Sequence, residues 1–109
     1  MARDPGLEEL LQNDLAGVRG LTQKAIFGDM AWLLHGNLLC GARQNSLLAR
    51  LGKDKDAWAL KQPGIRLMVM QGRPMSGWVQ ATADAYGNDA LRAKLIAKAV
   101  EFNHTLPKK

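Results

Sequence analysis

The sequence has little of what small metalloproteins and secreted domains use. It contains one cysteine, Cys40, so it forms no internal disulfide and has no cysteine-rich metal site. Its two histidines, His35 and His104, lie far apart in the chain and give no usual metal-ligand spacing. No run approaches the roughly 18 apolar residues of a membrane span, and the N-terminus MARDPGLEELLQ lacks a signal peptide's apolar segment. These absences favour a cytoplasmic protein without a metal or a membrane.

Catalytic groupings are also missing. Cys40 lies beside the small residues Gly41 and Ala42 and is typical of a buried apolar position rather than a nucleophile. The acidic residues fall at predicted helix starts or loops, where capping accounts for them. The glycines form no phosphate-binding loop, and no serine has the context of a hydrolase nucleophile. We therefore expect no catalytic residue and no cofactor, and an enzyme is the least favoured class.

The composition indicates one globular domain spanning residues 1–109, with 47% hydrophobic and 23% charged residues. The net charge is +5, and its distribution is uneven. Residues 1–54 hold six basic and six acidic side chains, whereas residues 55–109 hold nine basic and four acidic ones. Such a bias can attract nucleic acid or another polyanion. It also fits an ordinary solvated surface, and both interpretations stay open.

The first half predicts one helix followed by three strands. Asp4-Pro5 is a helix start, and leucines at helical spacing continue to Gly17 and Gly20. From Thr22 the apolar period changes to two, which predicts a three-stranded antiparallel meander centred on residues 26–51. Its predicted features are a bulge or bend at Gly28, a hairpin turn at Gly36-Asn37, a second turn at 43–45 and a third strand at 46–51.

The second half predicts a short helix, two strands and a long helix. The short helix carries Trp58 and ends at 62–64, and strands follow at 65–70 and 78–81 with a loop at 71–77 between them. Asn88 or Asp89 caps the final helix. The resulting order is α-β-β-β-α-β-β-α, a two-layer α+β fold with an antiparallel five-stranded sheet.

The final helix has a wide apolar surface. The residues predicted to face the sheet are Leu91, Leu95, Ala99, Phe102 and Leu106. Ile96 and Val100 lie on a flank outside that arc. The flank packs against the first helix, or it forms a homodimer interface, since an apolar excess on a face can mark one.

Arginines on or beside predicted strands are the candidate partner-binding residues: Arg43, Arg50, Arg66 and Arg73. Strand alternation predicts that Arg50 and Arg66 share an exposed sheet face, with Trp32 or Trp78 between them. Such a surface can contact a protein partner, or it can hold nucleic acid by phosphate contacts and base stacking. The same residues can also serve only in packing and ion pairs.

Three runs resemble a known family: IFGDMAWLLHGNLLCGARQNSLLARLG, QPGIRLMVMQGRPMSGWV and AVEFNHTLPKK. In this order they resemble the N-terminal domain of the TfoX/Sxy family, bacterial proteins linked to the regulation of natural competence. The family's MFGG-like start appears as Ile26-Phe27-Gly28-Asp29, with Ile26 in place of methionine and Asp29 in place of the second glycine. The resemblance covers roughly residues 20–109.

The resemblance implies a secretion-chaperone-like α+β fold in the order given above. It implies a non-catalytic regulatory or interaction module that binds a protein partner, as an accessory factor in bacterial transcription or competence regulation. Full-length TfoX regulators carry a second, helical domain, and we expect this chain to be the N-terminal unit alone. No catalytic residues transfer from the family. The alternative is direct nucleic-acid binding through the basic sheet and loop residues.

Overall fold

The computed structural model describes residues 5–26, 29–43 and 46–108. It is an α+β structure in which the helices lie at the two ends of the chain and between strand groups. In chain order the elements are α1 (Pro5–Asp14), β1 (Leu21–Ile26), β2 (Asp29–Leu34), β3 (Asn37–Arg43), β4 (Ser46–Arg50), α2 (Ala57–Leu60), β5 (Ile65–Met70), β6 (Arg73–Thr82), α3 (Ala83–Tyr86) and α4 (Asp89–Asn103).

The described strands form one antiparallel sheet in the order β1-β2-β3-β4-β6-β5. The predicted α+β class and antiparallel sheet are confirmed, whereas the predicted five strands and their order are wrong. The stretch interpreted as one interrupted strand is two paired strands, with Leu21 opposite Leu34. The sequence of β1, LTQKAI, has no regular apolar alternation, so the sequence pattern does not separate it from β2. The bend predicted at Gly28 lies outside the described residues.

The β5–β6 hairpin differs from the predicted loop. Its turn is only Gln71-Gly72, with φ of 52° and 77°, and β6 begins at Arg73 rather than at Trp78. Proline in a strand argued for a loop, but Pro74 precedes the part of β6 that pairs with β4, which begins at Trp78. Proline is tolerated at position 74 because residues 73–77 of β6 have β5 as their only described neighbouring strand, so this segment lies at an edge of the sheet.

One further turn and the starts of two helices can be compared with the predictions. The β2–β3 turn is His35-Gly36, with φ of 52° and 82°, one residue earlier than predicted. The start of α1 at Pro5 is confirmed, although the predicted cap Asp4 lies outside the described residues. The predicted cap of α4 is confirmed, because Asn88 Oδ1 accepts a hydrogen bond from the Leu91 amide at 3.1 Å. The helical turn α3 was not predicted.

All four helices pack into one core against one face of the sheet. Leu7, Leu11 and Leu15 from α1 and its C-terminal turn meet the fully buried Trp32 there. The members from the sheet include Leu34, Cys40, Ala42, Leu47, Ala49, Val79 and Ala81, and those from the later helices include Ala59, Ala85, Tyr86, Leu95, Ile96 and Ala99.

The apolar surface of α4 is distributed largely as predicted. Leu95 and Ala99 are buried, while Leu91 and Phe102 are half-buried and Leu106 lies beyond the helix end. On the flank, Ile96 belongs to the core and Val100 packs against it. This supports packing for those two residues. They also line a shallow groove with Asp14, Val18, Ala93 and Ala97.

A buried arginine joins the two ends of the chain. Arg92 of α4 donates from Nε to Asp14 Oδ2 at 2.7 Å, and its NH1 donates to the Tyr86 carbonyl and to Asp89 Oδ1, both at 2.9 Å. Only 7% of its side chain is exposed. The hydrogen bond to Asp14 raises the pKa of this guanidinium above its ordinary value. Arg92 therefore stays positively charged. Its hydrogen bonds link the end of α1 to α3 and α4.

None of the helices in the described ranges combines the length and the apolar character needed to cross a bilayer.

Candidate functional site: the open face of the sheet

The sheet has a second face, opposite the helical core, which we call the open face. Three buried apolar residues, Ala31, Leu48 and Met68, do not belong to the core cluster. Strand register explains the first two, because Ala31 lies opposite Gly41, Gly41 opposite Leu48, and Leu48 opposite Gln80. Directly opposed residues share a face of a sheet. This row therefore lies on the side away from the helices.

A pocket of about 270 Å³ lies on the open face. Its most unusual feature is methionine: four of the five methionines in the chain line it. Methionine is unbranched and polarizable, so a methionine-lined surface adapts to apolar groups of different shapes. The lining residues are Asp29, Met30, Ala31, Leu38, Cys40, Gly41, Arg43, Leu48, Met68, Met70, Met75 and Trp78.

Small residues make the depression in the sheet. Gly41 has no side chain, and a Cβ there would lie 3.4 Å from the Met30 carbonyl oxygen and 3.9 Å from Leu48 Cδ1. Ala31 beside it extends by one methyl group only. The surface of the sheet at Ala31 and Gly41 is therefore recessed, and the larger side chains of Leu38, Leu48 and Trp78 also line the pocket.

The β5–β6 hairpin supplies the methionine wall. The β5–β6 register shifts at Met68, between Leu67 and Val69, and Gly77 of β6 adopts φ of 85°. The Gly77 carbonyl accepts hydrogen bonds from the Leu51 and Gly52 amides at 2.7 and 3.1 Å. These two irregularities mark where the hairpin extends past the end of β4. Met68, Met70 and Met75 lie on this extension.

The candidate arginines lie at the margins of the open face. Arg50 lies opposite Trp78, and Arg66 lies opposite Gln80, so both share that face as predicted. The Arg50 guanidinium carbon is 5.9 Å from the Trp78 ring centroid. The other predicted aromatic, Trp32, is only 1% exposed on the core face, so its placement between the arginines was wrong.

The remaining two arginines differ in their partners. Arg43 lines the pocket and donates from Nε to Asp29 Oδ2 at 2.9 Å, with both side chains about one-third exposed. Asp29 is the residue that replaces glycine in the MFGG-like run, and this contact gives it a local role. Arg73 is exposed at the start of β6, opposite Met70. That these four residues bind a partner stays a prediction.

The groups tested for catalysis lie elsewhere or are unreactive. Cys40 is buried, and burial raises the pKa of its thiol to about 12, so it is a protonated thiol at neutral pH. His35 and His104 are neighbours in space, with ring centroids 6.4 Å apart, because the β2–β3 turn meets the end of α4. No local pattern indicates this proximity, because the two histidines are far apart in the chain. Within the described ranges, no group of three histidine, cysteine or carboxylate side chains is placed to hold a metal.

Sequence reasoning missed the pocket itself. Met68, Met70 and Met75 fall within eight residues, MVMQGRPM, and that density was a usable signal. It was overlooked because residues 71–77 were interpreted as a loop, which gives Met75 no place on the sheet. The contribution of Met30 depends on strand register and is not visible in the local sequence.

Comparison with known proteins gave no match to a protein-family model, to a curated protein or to a solved structure.

Proposed function

We propose that the protein is a non-catalytic interaction module whose open face binds a segment of a protein partner. That segment has an apolar anchor side chain with acidic residues beside it. The methionine-lined pocket on the open face carries this proposal. The resemblance to the TfoX N-terminal domain adds a cellular role, that of an accessory factor in bacterial transcription or competence regulation.

The pocket supports an apolar anchor. Burying a leucine-sized side chain contributes about 1.5–3 kcal/mol, and a pocket of about 270 Å³ accommodates one or two such groups. The apolar surface of the pocket reaches solvent at its margin, where Met70 is 41% exposed. A contiguous apolar surface with a polar rim is typical of a protein-binding site.

The charge around the pocket supports an acidic segment. The six strands contain five basic residues and one acidic residue, Asp29, whose carboxylate is paired with Arg43. A partner bearing aspartate or glutamate beside its apolar anchor would therefore find complementary charge. The basic residues are Lys24, Arg43, Arg50, Arg66 and Arg73.

The substitution Met70→Glu is expected to weaken the binding of apolar anions in the pocket. We expect 8-anilino-1-naphthalenesulfonate, an apolar ring system with one sulfonate, to bind the wild-type protein with increased fluorescence. Met70→Glu should weaken this binding about tenfold, equivalent to about 1.4 kcal/mol, because a carboxylate then lines an apolar site and repels the sulfonate. Dye titration measures the change.

Val69→Glu is the matched control. It places the same charge on the same strand at a similarly exposed apolar residue that does not line the pocket. It should keep most of the dye affinity. Equal dye binding by Met70→Glu and the wild-type protein would contradict the proposed pocket.

Partner capture extends this comparison to the native ligand. Retention from native cells by the wild-type protein and Val69→Glu, but not by Met70→Glu, identifies partners of the pocket. A synthetic segment of the captured protein must then bind with the same selectivity. A mobility-shift titration at two salt concentrations tests the alternative: salt-sensitive nucleic-acid binding lost on substitution of Arg66 and Arg73, which lie on the sheet away from the helices, would replace this proposal.

A further inference from the structure

A second group of cations surrounds a cleft between α2 and α4, on the helical side of the molecule. This helix cleft has a volume of about 300 Å³. It combines aromatic rings with lysines, which distinguishes it from the methionine pocket. Its lining residues are Leu51, Lys55, Trp58, Lys98, Glu101, Phe102 and Thr105.

Aromatic rings hold two of the nearby cations in place. Lys94 Nζ lies 4.5 Å from the Trp58 ring centroid, and the Arg50 guanidinium carbon lies 5.3 Å from the Phe102 ring centroid. A cation–π contact fixes the position of a cation without cancelling its charge. In the part of the chain that the structure describes, neither Arg50 nor Lys94 forms an ion pair, unlike Arg43 and Arg92.

The remaining charges at the cleft keep it positive. Lys98 forms an ion pair with Glu101 at 3.3 Å, and both side chains are largely exposed, so solvent screens that pair. Lys55 also lines the cleft, and Asp54 and Asp56 flank it in the sequence. The charged residues that line the cleft or lie over its rings are Arg50, Lys55, Lys94 and Lys98, against Glu101.

The backbone fixes one aromatic wall of the cleft. Gly52 adopts φ of 99°, and a Cβ at Gly52 would overlap the Phe102 ring. The ring therefore packs directly on the backbone where β4 ends. Trp58 is half-buried on α2, and its helix neighbour Ala59 is in the core. Both rings are held by the fold and remain partly accessible.

We propose that the helix cleft binds a nucleotide unit. The parts of Trp58 and Phe102 that line the cleft give a base apolar contacts beside the Lys94 and Arg50 side chains. The ammonium groups of Lys55 and Lys98 meet the phosphate of the nucleotide. The same chemistry occurs in a free mononucleotide and in a single-stranded nucleic acid. This site is separate from the open face and does not depend on the partner proposed for that face.

Isothermal titration of the full chain with adenosine monophosphate and with an oligothymidylate tests this site. We expect binding of at least one of the two, weakened at least fivefold by Lys98→Gln and by Lys55→Gln. Trp58→Leu should weaken it as well, and circular dichroism verifies that each variant is folded. Lys24→Gln, a neutralised lysine on the sheet edge strand β1, is the matched control and should leave the affinity unchanged.

Each outcome decides the proposal. Mononucleotide binding that the lysine variants weaken identifies a free nucleotide as the ligand, whereas salt-sensitive binding of the oligonucleotide alone identifies a single strand. No heat of binding for either probe at about 1 mM overturns the site. The proposed site is also overturned if inorganic phosphate binds as tightly as the mononucleotide. It is overturned as well if both lysine variants bind the probes with the affinity of the wild-type protein. Met70→Glu should not alter these titrations, so failure here is distinguishable from failure of the open-face proposal.

Discussion

Replacing Arg92 with alanine is expected to lower the free energy of unfolding by about 3 kcal/mol. Arg92 satisfies Asp14, Asp89 and the Tyr86 carbonyl at once, and its own side chain is only 7% exposed. Its removal leaves the Asp14 carboxylate, which is 21% exposed, without its cation. It also removes the hydrogen bond that joins the end of α1 to α4. Urea unfolding followed by circular dichroism measures the change.

The control for Arg92 is the other ion pair on α4. Lys98 and Glu101 are spaced as i and i+3 and are 47% and 68% exposed. Lys98→Ala should therefore change the unfolding free energy by less than about 0.5 kcal/mol. A similar small change for Arg92→Ala would mean that the Arg92 network does not hold the two ends of the chain together.

Replacing Gly77 with alanine is expected to destabilise the fold by about 3 kcal/mol. Its φ of 85° costs an L-residue about 1–2 kcal/mol. In addition, the new Cβ would lie 2.7 Å from the Gly52 carbonyl carbon and from the Lys53 amide nitrogen. Because these are backbone atoms, the segment that follows β4 must move away from β6, and overpacking of this kind costs about 1–3 kcal/mol. Thermal or urea unfolding checks the value.

The substitution Gly72→Ala distinguishes the cost of a positive φ from the cost of the steric clash. Gly72 has a similar φ of 77°, but a Cβ there would have nothing within 4 Å. Gly72→Ala should therefore cost only the conformational part, about 1 kcal/mol. Equal destabilisation by the two substitutions would show that the approach of Gly77 to the β4 exit contributes nothing.

Local signals in the sequence were sufficient for much of the fold. The Asn88 cap, the Pro5 start and the apolar arc of α4 depend on neighbouring residues only, and they are confirmed. The β1–β2 reversal was missed because β1, LTQKAI, has too few apolar residues to mark a separate strand, so Gly28 was interpreted as a bulge or bend within one strand. The start of β6 was missed because Pro74 and two glycines are typical of a loop unless the neighbouring strand is known to end.

The candidate surface could be predicted only in part. Alternation along the strands correctly placed Arg50 and Arg66 on one face. It could not decide which face the helices cover, so Trp32 was considered for the exposed side although it is in the core. The pocket depends on residues from β2 to β6 whose proximity follows from sheet order, and no local pattern encodes that order.

The central claim is that the open face binds an apolar, acidic segment through its methionines. Methionine methyl groups report on this directly, because Met30, Met68, Met70 and Met75 line the pocket and Met1 is the only other methionine. The measurement is an NMR titration of methyl-labelled methionine with the synthetic segment of the captured partner. We expect the four pocket resonances to shift together and to saturate at the affinity of the complex. Formation of the complex without any shift of those four resonances would contradict the central claim.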